Sequence, residues 1–308
     1  MRIAVTGASG FVGGAVCRTL ASEGVTTFAF GRRPALAPKH VGGAVYRSWD
    51  LTRGPLADPP RVDAVVHCAG SVTDWGRAAD LFAANLTGTR SALAAFPGAR
   101  FVHVSTASVY DPFRPSVMAR EDEAPVERYM NAYGASKAAA ERLALDRGAI
   151  ILRPHAVYGP GDTTLLPRVL SAVRGPLLPA VGTGRQRVSL TSIGNLVRAC
   201  VLAATGPVAS GVFNIADAAP VTIDDAFREI LRERGIRARP VYVPVRAARP
   251  LAAVAEGLFL LARRPEPPRI TRYAISHLAL ERTLDITAAR EVLGYDPAPT
   301  SFAGAARW

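Results

Sequence analysis

Cysteine and lysine are scarce in this sequence, and each scarcity excludes something. The three cysteines, Cys17, Cys68 and Cys200, are odd in number and lack any Cys-x-x-Cys spacing. They offer neither a disulfide framework nor a zinc site, so no metal is expected, and they read as buried thiols in a reducing compartment. Long apolar runs are missing too. The longest, Leu251 to Ala262, is about half of what a bilayer crossing needs and carries Glu256. It reads as a buried or substrate-facing helix, with interfacial association as the lesser alternative. The net charge of +12 comes from arginines scattered singly and in pairs, without a dense run or interleaved aromatics, so nucleic-acid binding is not indicated. The opening residues Met1 to Gly7 leave no room for a charged segment, an apolar core and a cleavage site, and a cytoplasmic location is expected.

What is present is a chain of 308 residues, 49% hydrophobic, with material for a full core. Its amino-terminal half alternates short β-branched runs with helical stretches. Ile3 to Thr6, Thr26 to Phe30, Ala44 to Trp49, Ala64 to Cys68, Phe101 to Ser105 and Ile150 to Leu152 read as strands. Such alternation predicts an α/β fold, a doubly wound parallel sheet covered by helices on both faces, with its ligand beyond the carboxyl ends of the strands. After Arg153 five prolines, at 154, 160, 167, 176 and 179, loosen the pattern, although Ile193 to Ala204 reads as a helix and Val212 to Ile215 as a strand.

Directly after the first strand stands Thr6-Gly7-Ala8-Ser9-Gly10-Phe11-Val12-Gly13-Gly14. Glycines there allow a tight turn and let backbone amides approach a pyrophosphate at a helix amino terminus. Gly7, Ser9, Gly10, Phe11, Val12 and Gly13 are therefore candidate dinucleotide-binding residues. At the end of the second strand, where NAD usually finds a carboxylate for its ribose, the chain has Arg32 and Arg33. Two guanidiniums suit a 2′-phosphate, so NADP is favoured, with NAD as the alternative. Asp50 and Leu51 are placed to meet the adenine, and Cys68, Ala69 and Gly70 to run under the middle of the cofactor. The expected division is a dinucleotide-binding domain over 1–153 and a smaller substrate-binding region over 154–308, interleaved with the sheet domain over about 186–216.

The most specific constellation is Tyr133-Gly134-Ala135-Ser136-Lys137, heading a helical stretch. A spacing of four puts both side chains on one helix face. A tyrosine with an ordinary pKa near ~10 is a poor acid–base at neutral pH unless a cation stabilises its phenolate, which an ammonium one turn away would do. Lysine occurs only twice, at Lys39 and Lys137, in a chain whose other basic residues are arginine. Thr106 and its neighbours in Val104-Ser105-Thr106-Ala107-Ser108 put hydroxyls at the carboxyl edge of the sheet, where Thr106 serves as a turn cap or orients a substrate oxygen. Asn85 meets either the cofactor's ribose side or local backbone.

Together these residues resemble the extended short-chain dehydrogenase/reductases, also called NAD-dependent epimerase/dehydratases, over nearly the whole chain. Thr6-Gly7-x-x-Gly10-x-x-Gly13, Asp50-Leu51, His67-Cys68-Ala69-Gly70, Asn85-x-x-Gly88-Thr89, Ser105-Thr106-x-x-Val109-Tyr110, Tyr133-x-x-x-Lys137 and Arg153-Pro154-x-x-Val157-Tyr158-Gly159-Pro160-Gly161 follow that family's order and spacing. The resemblance implies a Rossmann-type fold with a smaller carboxyl-terminal substrate-binding region. It also implies hydride transfer between a nicotinamide and a secondary alcohol or ketone. Tyr133 is then the catalytic acid–base, Lys137 lowers its pKa and holds the nicotinamide ribose, and Thr106 binds the reacting oxygen. Pro154 and His155 line the nicotinamide pocket. Homodimerisation through the helices around Leu81 to Phe96 and Tyr133 to Leu145 is implied as well.

Two departures bear on the substrate. Sugar-nucleotide members of the family usually carry asparagine where this chain has Ala156, and an arginine where the best register puts Val188, although Arg185 or Arg187 could compensate. The segment Arg153 to Ala203, the apolar stretch before Pro265-Glu266-Pro267-Pro268 and the closing Leu284-Asp285-Ile286-Thr287 are similar to the hydroxysteroid and sterol-carboxylate dehydrogenase branch, with its bacterial β-keto acid reductases. A hydrophobic polyketide-, acyl- or steroid-like substrate is expected. A redox-neutral nucleotide-sugar epimerase or dehydratase is the alternative, and an idle cofactor-binding protein of the same fold is the second.

Overall fold

Ile3, Ala4 and Val5 have no solvent exposure at all, because the strand that carries them is covered by helices on both faces. The computed structural model describes residues 1–262, 264, 266–268 and 270–308, and Pro265 of the proline-rich segment lies outside them. Strands β1 (Arg2–Thr6), β2 (Thr26–Gly31), β3 (Val45–Ser48), β4 (Ala64–His67) and β5 (Arg100–Val104) fill the amino-terminal half. Then come β6 (Ser116–Ala119), in a small separate sheet, and β7 (Ile150–Pro154). The main sheet has seven strands, in the order β3-β2-β1-β4-β5-β7 followed by Gly211–Ile215. Every pairing in it is parallel. The winding reverses between β1 and β4, and the crevice at such a reversal is where this architecture takes its ligand.

The helices are α1 (Phe11–Ser22), α2 (Ala78–Phe82), α3 (Gly88–Ala95), α4 (Ala132–Leu145), α5 (Leu165–Ala172), α6 (Ile193–Thr205), α7 (Ile223–Glu233), α8 (Val245–Leu261), α9 (Arg272–Ala279) and α10 (Thr287–Leu293). On one face of the sheet, Val16 and Leu20 of α1 meet Leu196 and Cys200 of α6 in a single apolar cluster. On the other face, Ala92 of α3 and Ala144 of α4 pack with Phe30, Trp49 and Phe96. A second core lies under α5 and α7, built on Leu166, Val169, Phe227, Ile230, Tyr158 and Phe302. Cys17 and Cys200 are buried and Cys68 is half-buried, and all three are free thiols. Among the described residues no helix is long and apolar enough to cross a membrane.

Helix α8 departs from the expectation of a buried helix. Its inward face consists of Ala248, Ala252 and Glu256, four residues apart, whereas Leu251, Val254, Leu258 and Leu261 point outward at 60–83% exposure. The small side chains allow close approach to α9, where Glu256 accepts from the backbone N–H and the Nε of Arg272, both at 2.6 Å. The leucines are left on the surface.

Candidate active site

The glycine turn is forced by contact. Gly7 has φ +71°, and a Cβ on it would lie 2.7 Å from the Ala69 nitrogen. A Cβ on Gly13 would lie 2.4 Å from the Gly7 carbonyl oxygen. Helix α1 starts at Phe11 with Gly10 as its N-cap, with no side-chain cap and no acidic residue in its first turn. Its leading amides are thus open to an anion, which fits the pyrophosphate of a dinucleotide. Val12 packs half-buried behind them against the core.

Ser9 sits against Gly31 at the end of β2, so the turn and the Arg32-Arg33 corner are neighbours. Both arginines are exposed, and their local contacts run through the backbone: Tyr46 Oη donates to the Arg33 carbonyl at 2.6 Å and Ser48 Oγ to the Arg32 carbonyl at 3.5 Å. The guanidiniums face solvent. Asp50 is engaged locally, accepting from the Thr52 amide at 3.0 Å and the Thr52 hydroxyl at 2.8 Å, bonds that hold its carboxyl below the usual range. Leu51 is buried in the core beneath α3.

Both ends of the Asn85 amide are engaged. Its Oδ1 accepts from the Ser71 amide at 2.7 Å, and its Nδ2 donates to Ser136 Oγ at 2.9 Å and the Ser71 carbonyl at 3.3 Å. It fixes the loop after Cys68-Ala69-Gly70 against α4. A Cβ on Gly70 would meet that amide at 2.8 Å, so the bare backbone of Gly70 is part of the same fit.

Helix α4 is capped by Asn131, whose Oδ1 accepts from the Gly134 amide at 3.1 Å, and the cap places Tyr133 and Lys137 at the carboxyl edge of the sheet. Both are buried, at 7% and 5% exposure. Lys137 Nζ donates to the Val104 carbonyl at the end of β5, at 2.7 Å, and lies 3.9 Å from where a Gly70 Cβ would stand. Burial pushes the ammonium down to about 8, opposed chiefly by the Glu141 carboxylate. Thr106 caps the turn Ala107–Val109, its Oγ1 accepting from the Ser108 amide at 3.1 Å, and stands near the Tyr133 phenol.

The Tyr133 phenol stands above its ordinary value, because burial outweighs the opposing influence of the nearby Thr106 hydroxyl and the Asp74 carboxylate adds to the rise.

Next to Thr106 lies a cavity. Thr106 Oγ1 donates to Ser108 Oγ at 3.2 Å, Ser108 Oγ and Tyr273 Oη share a hydrogen bond of 2.7 Å, and both Ser108 and Tyr273 line the cavity. His155 and His277 stack in its wall, with Nε2 of the first 3.2 Å from Nδ1 of the second. His155 Nδ1 faces the Ser189 carbonyl at 2.7 Å, and a carbonyl only accepts, so that nitrogen carries the proton. Burial holds the ring down to about 4, so His155 is neutral at physiological pH.

Pro154 ends β7 just before it, fully buried. Sequence reasoning placed Tyr133, Lys137, Thr106, His155 and the glycine turn, and the structure brings them to one edge of the sheet. It missed Tyr273, His277, Arg282 and Glu141. Tyr273 and His277 stand one turn apart on α9, a spacing that could have marked a shared face.

Comparison with known proteins follows the same line. The NAD dependent epimerase/dehydratase family matches residues 3–216. A 2-alkyl-3-oxoalkanoate reductase of Stenotrophomonas maltophilia is 32% identical, over 96% of this chain and 95% of that protein. A 4-hydroxy-2-methyl-3-oxo-4-farnesyl-3,4-dihydroquinoline-1-oxide ketoreductase of Stigmatella aurantiaca is 30% identical, over 96% of this chain and 92% of its own. Among solved structures, MoeE5 in complex with UDP-glucuronic acid and NAD superposes with a TM-score of 0.74 at 26% identity, covering 98% of this chain and 95% of that one. The chain is therefore an enzyme of the NAD-dependent epimerase/dehydratase family, the extended short-chain dehydrogenase/reductases.

Proposed function

We propose that this enzyme is an NADPH-dependent reductase of hydrophobic ketones, running in reverse as an alcohol dehydrogenase, with Tyr133 as its proton donor. The observation that carries the reading is the Tyr133 phenol, buried one helical turn from the buried Lys137 ammonium, near Thr106 and its cavity, and kept protonated by that burial. A protonated phenol can give its proton to a carbonyl oxygen as that oxygen becomes an alkoxide; a phenolate cannot. Thr106 and Tyr133 hold the carbonyl oxygen from two sides. Lys137, fixed between the end of β5 and Gly70, orients the ribose that carries the nicotinamide. The glycine turn and Lys137 would hold a nicotinamide dinucleotide at the crevice between β1 and β4, and that cofactor would be the source of the hydride. The product is the secondary alcohol, with one hydrogen from the cofactor and one from Tyr133.

Arg32 and Arg33, exposed at the end of β2, support NADPH through charge-assisted bonds to a 2′-phosphate. Pro154 and His155 back the nicotinamide. An apolar ketone is favoured over a nucleotide sugar because Ala156 offers no donor, Val188 is buried at 4% exposure, and Arg185 and Arg187 are exposed rather than lining the cavity. The two relatives, a 2-alkyl-3-oxoalkanoate reductase and a 3-oxo-dihydroquinoline-oxide ketoreductase, support the same reading.

A homodimer through α2, α3 and α4 and a cytoplasmic location complete the proposal; sedimentation of the purified protein reads the first. The reductase reading is tested by following the NADPH absorbance band with apolar ketones and with nucleotide sugars. Loss of NADPH with an apolar ketone supports it. Conversion of a nucleotide sugar without net loss, in the absence of any ketone reduction, refutes it.

A further inference from the structure

The outward face of α8 is an apolar stripe in water. Leu251, Val254, Leu258 and Leu261 follow one another at steps of three and four, which puts them on one side of the helix, and Leu260 adds its side chain from the flank at 64% exposure. A single exposed leucine needs no explanation, because much of any protein surface is apolar. A contiguous stripe of them marks a contact surface.

The charges around the stripe have one sign. Arg246 and Arg249 stand exposed at its amino end and Arg264 at its carboxyl end. Between Glu233 and Glu266 the one acid is Glu256, and every other charged residue is arginine. Glu256 lies on the opposite face of α8, buried to 8% exposure and taken up by Arg272. The helix therefore turns apolar side chains and guanidiniums outward, and no carboxylate.

The inward face ties this surface to the active site. Ala248 and Ala252 pack with Ile275 of α9, the helix whose Tyr273 and His277 line the cavity beside Thr106. At its far end, Trp75 Nε1 donates to the Arg264 carbonyl at 3.2 Å, which joins the end of α8 to the loop after Gly70. Helix α8 is thus the outer layer of the cover over the site.

A second copy of the chain and a lipid surface both suit an apolar stripe, and the charges choose between them. A twofold pairing brings one surface against itself. Both ends of the stripe are basic, so arginine would face arginine whichever way the paired helices ran. An anionic bilayer answers both parts of the surface: the leucines enter the boundary of the acyl chains, and the long arginine stems let the guanidiniums reach the phosphates.

We propose that the outward face of α8 docks on an anionic membrane surface, with Leu251, Val254, Leu258 and Leu261 among the lipid chains and Arg246, Arg249 and Arg264 on the headgroup phosphates. The enzyme then works as a peripheral protein, with α9 and the cover of its active site next to the bilayer. The docking is independent of which molecule is reduced and stands apart from the reductase reading.

The test is cosedimentation of the purified protein with vesicles of phosphatidylcholine alone and of phosphatidylcholine mixed with phosphatidylglycerol. The expected result is binding to the mixed vesicles about tenfold or more tighter than to the neutral ones, weakened as salt is raised. Leu251→Glu with Leu258→Glu should weaken it by about tenfold or more, and so should Arg246→Gln with Arg249→Gln. These side chains stand in water, so both double variants should keep the parent's circular dichroism and urea midpoint. Failure of the parent to sediment with the mixed vesicles overturns the proposal. Binding lost in the arginine variant but unchanged in the leucine variant overturns it too, since that is the adhesion of a protein of net charge +12 without insertion. So does a parent dimer that the leucine changes dissociate in the absence of lipid, which would give the stripe to a second copy.

Discussion

Arg153 closes on Glu141 through a pair buried to 1% and 0% exposure, with Nη2 at 2.6 Å and Nε at 3.2 Å from the same carboxylate oxygen. The other oxygen of Glu141 accepts from Ser105 Oγ at 2.6 Å, and Arg153 Nη1 donates to Tyr110 Oη at 3.1 Å. The pair thus ties β7 to the middle of α4 and to the residue before Thr106. Removing one partner of such a pair leaves an uncompensated buried charge. Glu141→Leu should cost about 3–5 kcal/mol in urea unfolding, and joint replacement with Arg153→Met should cost less than either single change. A Glu141→Leu variant within about 0.5 kcal/mol of the parent would show that the clamp does not hold the site together.

Tyr133→Phe removes the proton donor and leaves the ring that packs beside Thr106. The expected outcome is a fall in kcat of about 10²–10⁴-fold with NADPH affinity nearly unchanged, read by fluorescence titration of the cofactor. Turnover within about twofold of the parent would assign the proton to another group.

Replacing Arg32 and Arg33 together by alanine should weaken NADPH binding by about a hundredfold or more and leave NADH binding close to its parent value. Each charge-assisted bond to a phosphate contributes about 1.5–3 kcal/mol, and about 1.4 kcal/mol is tenfold in affinity. A parallel loss for both cofactors would place the two arginines outside the ribose site.

Buried neutral histidines make the fold sensitive to acid. Burial holds His67 down to about 3 and His155 down to about 4, against about 6.5 in an unfolded chain. The unfolded chain therefore binds more protons below about pH 6.5. The stability contributed by each ring is fully present above that pH and is lost at about 1.4 kcal/mol per unit as the pH falls toward the folded value. The urea midpoint should drop steeply between pH 7 and pH 5. His103 has neither ring nitrogen bonded, so His103→Phe should shallow the drop and raise stability at pH 7 by about 1 kcal/mol. A flat profile from pH 7 to pH 5 would contradict these assignments.

The glycine turn and the Tyr133-Lys137 pair were legible in the sequence because each is a local device: one needs residues without a Cβ at fixed steps, the other a spacing of four on one helix. The alternation of runs likewise exposed the parallel sheet, whose strands are apolar on both sides. What escaped depends on distance along the chain. Tyr273 meets Ser108 from 165 positions away, and Arg282 finds its acceptors in the loop after Tyr110 through strand pairing that no local pattern announces. For helix α8 only the buried reading fails, for a related reason. An apolar run states that some face is buried, but α9 takes the alanine face, and the leucines stay outside.

The most direct test of the reductase is to follow the hydride. The enzyme is incubated with NADPH carrying deuterium at the transferable C4 position and with an apolar 3-oxo acid, and the products are read by mass spectrometry. The account predicts a 3-hydroxy acid with one deuterium on C3 and one NADP⁺ formed per molecule of product. Recovery of the 3-oxo acid unreduced, while a nucleotide sugar is converted with the cofactor returned to its starting state, would contradict it.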